Sequence, residues 1–432
     1  MWLKSMWRGS ARVGSLLAFL LCFAQVALSQ SQTFNSGSNG SDGALNLTTP
    51  GTIIFDPKSF NPPLNPAGDN VFNFTTINIG PGVTVKLTSK VLTGPIYWLA
   101  SGDVTIAGTI DLSGENGADT TTVSSLRVPA AAGAGGYGGG VGGGPSFPAL
   151  PGNGPGGGAA PATGGGQGGT FTGSQFLIPL IGGSGGSGGV SVTAQSFGAG
   201  GGAGGGAILI ASSTSITFNV PGSIFANGGA GGSTPGCNRP CGGDGGGGGS
   251  GGAVRLIAPV LTAHGYCGFG CSPGTVGGIT TAAGGATNNG TPGSEGLIRL
   301  ESFNPGVLAG SLSFIGTNIV SAPFSPAVPS TPPGALKVTS LVVAGVTIPI
   351  NANPFSFPDA IINSSSAVTV NVQAQFIPLG IVPQVIVTSE SGTTQTVNCT
   401  PLQGTFQQST CSASITFPTG GSRGFVKATW SQ

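Results

Sequence analysis

Gly206-Ala207-Ile208-Leu209-Ile210-Ala211, Gly252-Ala253-Val254-Arg255-Leu256-Ile257-Ala258 and Gly296-Leu297-Ile298-Arg299-Leu300-Glu301 read as one β-strand written three times. Ile208, Val254 and Ile298 stand 46 and 44 residues apart, and residues 95–101 supply an earlier copy around Tyr97 and Trp98. A second short motif follows at residues 108–114 and 222–228, and more loosely at 278–284. Between the two lies a third run, such as Val104-Thr105-Ile106 or Ser215-Ile216-Thr217-Phe218. β-branched runs in fixed order, parted by glycine turns and lacking a helical period, predict an all-β chain organised as a parallel β-helix, a solenoid whose inward Ile, Val and Leu form one continuous core.

Corners of such a stack tolerate insertions. The longest expected insertion covers roughly residues 115–205 and is dominated by glycine, as in Gly182-Gly183-Ser184-Gly185-Gly186-Ser187-Gly188-Gly189, with only residues 171–181 strand-like. Two readings stand side by side, and composition favours the first: a flexible loop, or packed polyproline II segments that need glycine where backbones approach closely. Residues 51–87 contain period-two runs expected to start and cap the solenoid, which extends over 51–320 after an N-terminal segment at 30–50. Residues 321–334 are a proline-rich linker, extended and semi-rigid. Residues 335–432 then give about seven alternating runs with turn signals, the pattern of a small immunoglobulin-like β-sandwich.

Residues 1–29 read as a secretory signal peptide: Lys4, Arg8 and Arg12, then an apolar run from Val13 to Val26, then Ala27-Leu28-Ser29. The run is too short to span a bilayer comfortably, so a secreted, extracellular or cell-surface location is expected, with no transmembrane segment after cleavage. Beyond it ten of the 13 basic residues face 12 acidic ones, which leaves no basic patch for nucleic acid. Six cysteines remain in the mature chain. In an oxidising compartment Cys399 and Cys411 would tie neighbouring strands, and Cys237, Cys241, Cys267 and Cys271 would staple loops in a pairing the spacing leaves open. The four could alternatively hold zinc, but disulfides fit the compartment better and no metal site is assigned.

The repeat, with Ser101-Gly102-Asp103-Val104-Thr105-Ile106-Ala107-Gly108-Thr109-Ile110, resembles bacterial secreted glycine-rich proteins of right-handed β-helix architecture, the pectin-lyase-like and haemagglutinin-repeat kind, over residues 50–305. The part from Leu336 resembles the immunoglobulin-like modules of bacterial surface proteins. These resemblances imply a fold and an exported protein and name no substrate.

Polysaccharide-cleaving β-helices cluster acidic groups as general acid and base or around calcium. The candidates for a cation or glycan contact are Asp103, Asp111, Glu115 and Asp119, the last three placed around a glycine turn, where calcium is the one cofactor they could take. No matching cluster recurs in the later repeats, and a solvated loop explains them as well. His264, the sole histidine, has no Ser-Asp partners at hand and reads as structural. Within a strand, period two turns one of Tyr97 and Trp98 outward, where a ring could stack on a sugar. Charge depletion, repeats and modularity together point to a secreted structural or adhesive protein of the cell surface or matrix, without catalytic activity, whose partners are extracellular polysaccharide or surface proteins. A carbohydrate-active β-helix lyase or hydrolase and a non-catalytic glycan-binding protein are the alternatives.

Overall fold

The structure, a computed structural model, describes residues 33–120, 128–145, 147–191, 196–234, 244–264, 278–285, 289–303, 313–322, 335–350, 360–362, 366–389, 394–416 and 422–429. The expected signal peptide and nearly all of the proline-rich linker lie outside these residues, as do Cys237, Cys241, Cys267 and Cys271. Among them the chain is all β, its one helical turn being the 3-10 turn Pro57–Ser59. No described helix is long and apolar enough to cross a membrane.

Among the described residues sixteen strands precede the linker. They are β1 Gly43–Leu47, β2 Gly51–Ile54, β3 Val71–Ile79, β4 Val83–Lys86, β5 Ile96–Ala100, β6 Val104–Ile106, β7 Thr109–Asp111, β8 Ala207–Ser212, β9 Ser215–Asn219 and β10 Ser223–Phe225, followed by β11 Ala253–Ile257, β12 Val260–His264, β13 Gly278–Thr280, β14 Leu297–Glu301, β15 Ser313–Ile315 and β16 Thr317–Ser321. All pair in parallel. One sheet runs β12-β9-β6-β3-β5-β8-β11-β14-β16 with β1 added on β3, and a second runs β15-β13-β10-β7-β4-β2. The repeat read from sequence is in register: Ile96, Ile208, Val254 and Ile298 align across β5, β8, β11 and β14, as do Trp98, Ile210, Leu256 and Leu300.

Both rows belong to the main apolar core, which β6, β7, β9 and β10 complete with Val104, Ile106, Ile110, Ile216, Phe218 and Ile224. Toward β1 and β2 the core is aromatic. Phe55 packs on Phe72, Trp98 and Phe60 at ring separations of 5.2, 5.3 and 5.4 Å, and Phe60 and Leu64 adjoin the same core. Each such ring contributes roughly 1.5–3 kcal/mol by leaving water.

The described residues of the glycine-rich insertions are packed, and for them the flexible-loop expectation is corrected. Residues 182–189 run through the middle of a bundle. Six segments surround them: 135–143, 150–153, 156–158, 167–169, 244–250 and 199–205. Each is hydrogen-bonded to the central segment, for example Gly140 N–H to Gly186 O at 2.8 Å, Gly185 N–H to Asn153 O at 2.9 Å and Gly186 N–H to Gly202 O at 2.9 Å. Contacts recur every third residue: Gly182, Gly185 and Gly188 face Gly135, Gly138 and Val141, whereas Gly183, Gly186 and Gly189 face Ser250, Gly247 and Asp244. Three residues per turn without internal hydrogen bonds is polyproline II geometry. A Cβ on Gly185 would stand 2.1 Å from Gly138 O and one on Gly201 2.0 Å from Gly186 O, so only glycine lets the segments close to this spacing. The third face carries Ser184 and Ser187, whose hydroxyls accept from Gly156 N–H at 3.0 Å and Gln167 N–H at 2.7 Å. Residues 171–181 form no strand. The segment turns at Ser174 and lays Leu177 and Leu180 on the outer face of β5, β8 and β11.

After the linker come β17 Ala335–Val343, β18 Val346–Pro349, β19 Ala360–Ile362, β20 Ala367–Gln375, β21 Gln384–Ser389, β22 Thr394–Asn398, β23 Gln403–Gly404, β24 Ser409–Thr416 and β25 Ser422–Thr429. They pair antiparallel in two sheets, β18-β17-β20-β24-β23 and β19-β25-β21-β22, and share one apolar core around Val368, Val370, Val372, Val385, Val387 and Ile415. Strict alternation along β20 and β24 buries one face of each. Ala344 and Gly345, both at positive φ, make the two-residue hairpin between β17 and β18. Cys399 and Cys411 are bonded, with Cα atoms 5.8 Å apart, joining the end of β22 to β24.

Candidate functional site

The four acidic candidates do not converge. Residues 112–119 run extended beyond β7, so at about 3.1 Å per residue Asp111 and Asp119 stand roughly 25 Å apart, an order of magnitude beyond a calcium–oxygen bond of about 2.4 Å. No group of three or more His, Cys, Asp or Glu among the described residues could hold a metal ion.

Each carboxylate instead joins two neighbouring stretches of chain. Asp103 sits in the bend between β5 and β6 and accepts from Thr214 Oγ1 at 2.6 Å and Ser215 Oγ at 2.8 Å. The Thr214 hydroxyl first and the Ser215 hydroxyl second hold its carboxyl below the usual carboxylate range, against a small desolvation penalty. Asp111, at the end of β7, pairs with Lys86 of β4 at 3.0 Å and accepts the Ser113 N–H at 2.9 Å. Glu115 pairs with Lys90 and accepts the Ala131 N–H at 3.2 Å. Asp119 accepts both the N–H and the hydroxyl of Ser233, at 2.6 and 2.9 Å, and so ties the segment after β7 to the one after β10.

Tyr97 and Trp98 take opposite faces of β5, as period two requires, yet both are covered. Trp98 is 0% exposed within the main core. Tyr97 points outward but is only 5% exposed, under a second apolar cluster that includes Phe34, Leu177, Leu180, Leu209 and Ile257. Neither ring is offered to a glycan. Over β5, β8 and β11 the outer face of this sheet is not a solvent face, because residues 34–38 and 174–180 lie across it. His264 closes β12.

A charged cluster that the sequence reading missed lies on the same covered face. Tyr97, Leu209, Arg255 and Arg299 occupy one outward row across β5, β8, β11 and β14. Arg255 Nε and Arg299 Nε both donate to Glu301 Oε1, at 2.8 and 2.7 Å, and all three side chains are buried. Arg299 also donates to Gln175 O at 3.1 Å and to Ser321 Oγ at 2.9 Å, and stacks over the Phe176 ring at 5.3 Å, which clips the covering segment to the sheet. The signal was available: in a chain with 6% charged residues, two copies of an otherwise apolar strand carry arginine at the same position. Burial pushes the Tyr97 phenol up to about 12, partly offset by the nearby Arg255 charge.

Compared with known proteins, the chain matches no family model, no curated protein and no solved structure.

Proposed function

We propose that this chain is a secreted, non-catalytic structural or adhesive protein of the cell surface or extracellular matrix. In this reading the parallel sheets form a right-handed β-solenoid arm, reached through a cleaved signal peptide and joined by the proline linker to an immunoglobulin-like module. The carrying observation is the glycine bundle: its described segments interlock backbone to backbone, and on two faces of the central segment 182–189 the distances admit no side chain. Such a body resists deformation, because a segment can move only with its neighbours. The acidic groups that a lyase or hydrolase would need serve as joints between segments, each with its own partner. Partners of this arm are extracellular polysaccharides or surface proteins, and calcium has no role in the reading.

The test is a binding and cleavage screen of the purified protein on a polysaccharide panel, with and without calcium. Retention without product, or no response to any glycan, is the expected outcome. Release of unsaturated or reducing ends that disappears in Asp111→Ala or Glu115→Ala would make the protein an enzyme and overturn the proposal.

A further inference from the structure

The outward side of β1, the second half of β3, β6, β9 and β12 carries one uninterrupted polar row. Asn46 pairs with Asn78, Asn78 with Thr105, Thr105 with Thr217 and Thr217 with Thr262, each in parallel register. Their neighbours along the strands, among them Ile77, Val104, Ile106, Ile216, Phe218 and Leu261, belong to the main core, so alternation turns all five row residues outward. Asn46 is exposed and the other four are half-buried. At about 4.8 Å per strand the row is roughly 19 Å long.

Its chemistry is uniform. Each side chain carries a hydroxyl or an amide, groups that both donate and accept, and none is charged or aromatic. Asn78 Nδ2 donates to Asn46 Oδ1 at 2.8 Å, and the Thr217 and Thr262 hydroxyls are 3.0 Å apart. Among the described residues these side chains bond only within the row, and the hydroxyl of Thr105 at its centre bonds to none. The row is also one residue wide. On one side Asp103 and Val260 break the pattern, and on the other Gly80 and Ala107 bring no polar side chain.

A one-dimensional row of fixed period fits a polymer chain better than a flat surface. The strand spacing is close to the rise of one sugar unit in an extended β-linked polysaccharide, so successive side chains meet successive units. An anionic polymer is disfavoured, because the row offers no cation and the Asp103 carboxylate beside it repels like charge. We infer that the row from Asn46 through Asn78, Thr105 and Thr217 to Thr262 binds one chain of a neutral, extended β-linked polysaccharide lying across the strands. The inference rests on the adhesive reading and specifies its partner.

The probes are amorphous cellulose and chitin, with polygalacturonate as the anionic comparison. The parent is set beside the double variant Thr105→Val with Thr217→Val, which keeps the β-branching that suits a strand and removes two hydroxyls. Thr84→Val, on β4 of the other sheet, is the control. In depletion isotherms at physiological salt the parent and the control should be retained on a neutral polymer, and the double variant roughly tenfold more weakly. Equal retention of parent and double variant overturns the inference and leaves the adhesive reading standing. So does an equal loss in the control, retention on polygalacturonate only, or retention on none of the three. Release of soluble sugar from cellulose or chitin overturns the adhesive reading and this inference with it. Should the double variant melt well below the parent, the single Thr105→Val, which removes no hydrogen bond between described residues, decides.

Discussion

Gly185→Ala tests whether the glycine bundle is a packed solid or a slack loop. Residue 185 sits in the central segment, where a Cβ would meet Gly138 O at 2.1 Å, Gly138 C at 2.7 Å and Gly139 Cα at 2.9 Å. Ordinary contact begins about 1.3 Å farther out than the first of these, and the 135–143 segment cannot retreat that far, because Gly204 N–H donates to Tyr137 O at 2.9 Å and Asn153 N–H to Gly138 O at 3.0 Å on either side of it. Overpacking of this kind costs about 1–3 kcal/mol. Spreading the segments also weakens the bonds from Gly185 N–H to Asn153 O and from Gly158 N–H to Gly185 O, at about 1 kcal/mol each. Alanine regains about 0.4–1 kcal/mol through the unfolded chain. The net expectation is a loss of about 3 kcal/mol, or roughly 6–10 °C in melting temperature. Gly285→Ala is the control: it lies in the same kind of segment, yet a Cβ there meets nothing within 4 Å. It should be neutral or slightly stabilising. Thermal and urea melts of the two variants beside the parent measure the difference. If both shift stability equally, by less than about 0.5 kcal/mol, the packed-bundle reasoning is refuted.

Three further outcomes follow from the same geometry. In hydrogen exchange read by mass spectrometry, peptides covering residues 182–189 should exchange as slowly as those covering β8 and β11, since the amides of Gly183, Gly185, Gly186 and Gly189 are all bonded; complete exchange in the first time point would contradict this. Glu301→Gln should cost about 3 kcal/mol or more, because it strips the carboxylate from two buried arginines. Asp111→Asn, whose partner Lys86 is 37% exposed, should cost under about 1 kcal/mol, so similar melts for the two would be a failure. Tyr97, pushed up to about 12 from 10, binds its proton more tightly when folded. Its contribution is therefore fully present below pH 10 and is lost as pH rises toward 12, so Tyr97→Phe should lose less stability than the parent between pH 10 and 12 in melts at stepped pH. A steeper alkaline loss in the variant would reverse the sign and refute the assignment.

The strand repeat was legible because period two and the 46- and 44-residue spacing are properties of one chain segment at a time. Ile208, Val254 and Ile298 had to align once the runs were recognised as copies, and β8, β11 and β14 place them in one row. What covers a strand was not legible. Tyr97 was rightly expected to alternate with Trp98, but its burial comes from Phe34, Leu177 and Leu180, far away in sequence. The spread of Asp111, Glu115 and Asp119 had the same origin: a run of glycines that reads as a turn is instead extended, and a turn would have been needed to gather the three.

The order of the glycine segments was written in the repeat itself, at one remove. Gly-Gly-Ser triplets are what a flexible linker also contains, so no local reading separates the two. The insertions, however, leave the chain at one recurring place: they follow β7, β10 and β13 and return at β8, β11 and β14. Parallel register stacks those exits directly over one another, with β7, β10 and β13 paired as neighbours and β8, β11 and β14 likewise. Strands stand about 4.8 Å apart, so three insertions issuing from one corner begin life side by side with no room for side chains between them. Under that constraint glycine on two faces of every three is the composition that allows close packing, and the flexibility it confers on an isolated chain is lost to its neighbours. Shortening the insertion after β10 so that Gly232 is removed would then expose the carbonyl of Gly200 that the Gly232 N–H now bonds at 2.8 Å, and should loosen the longer insertion that precedes it rather than leave it unchanged.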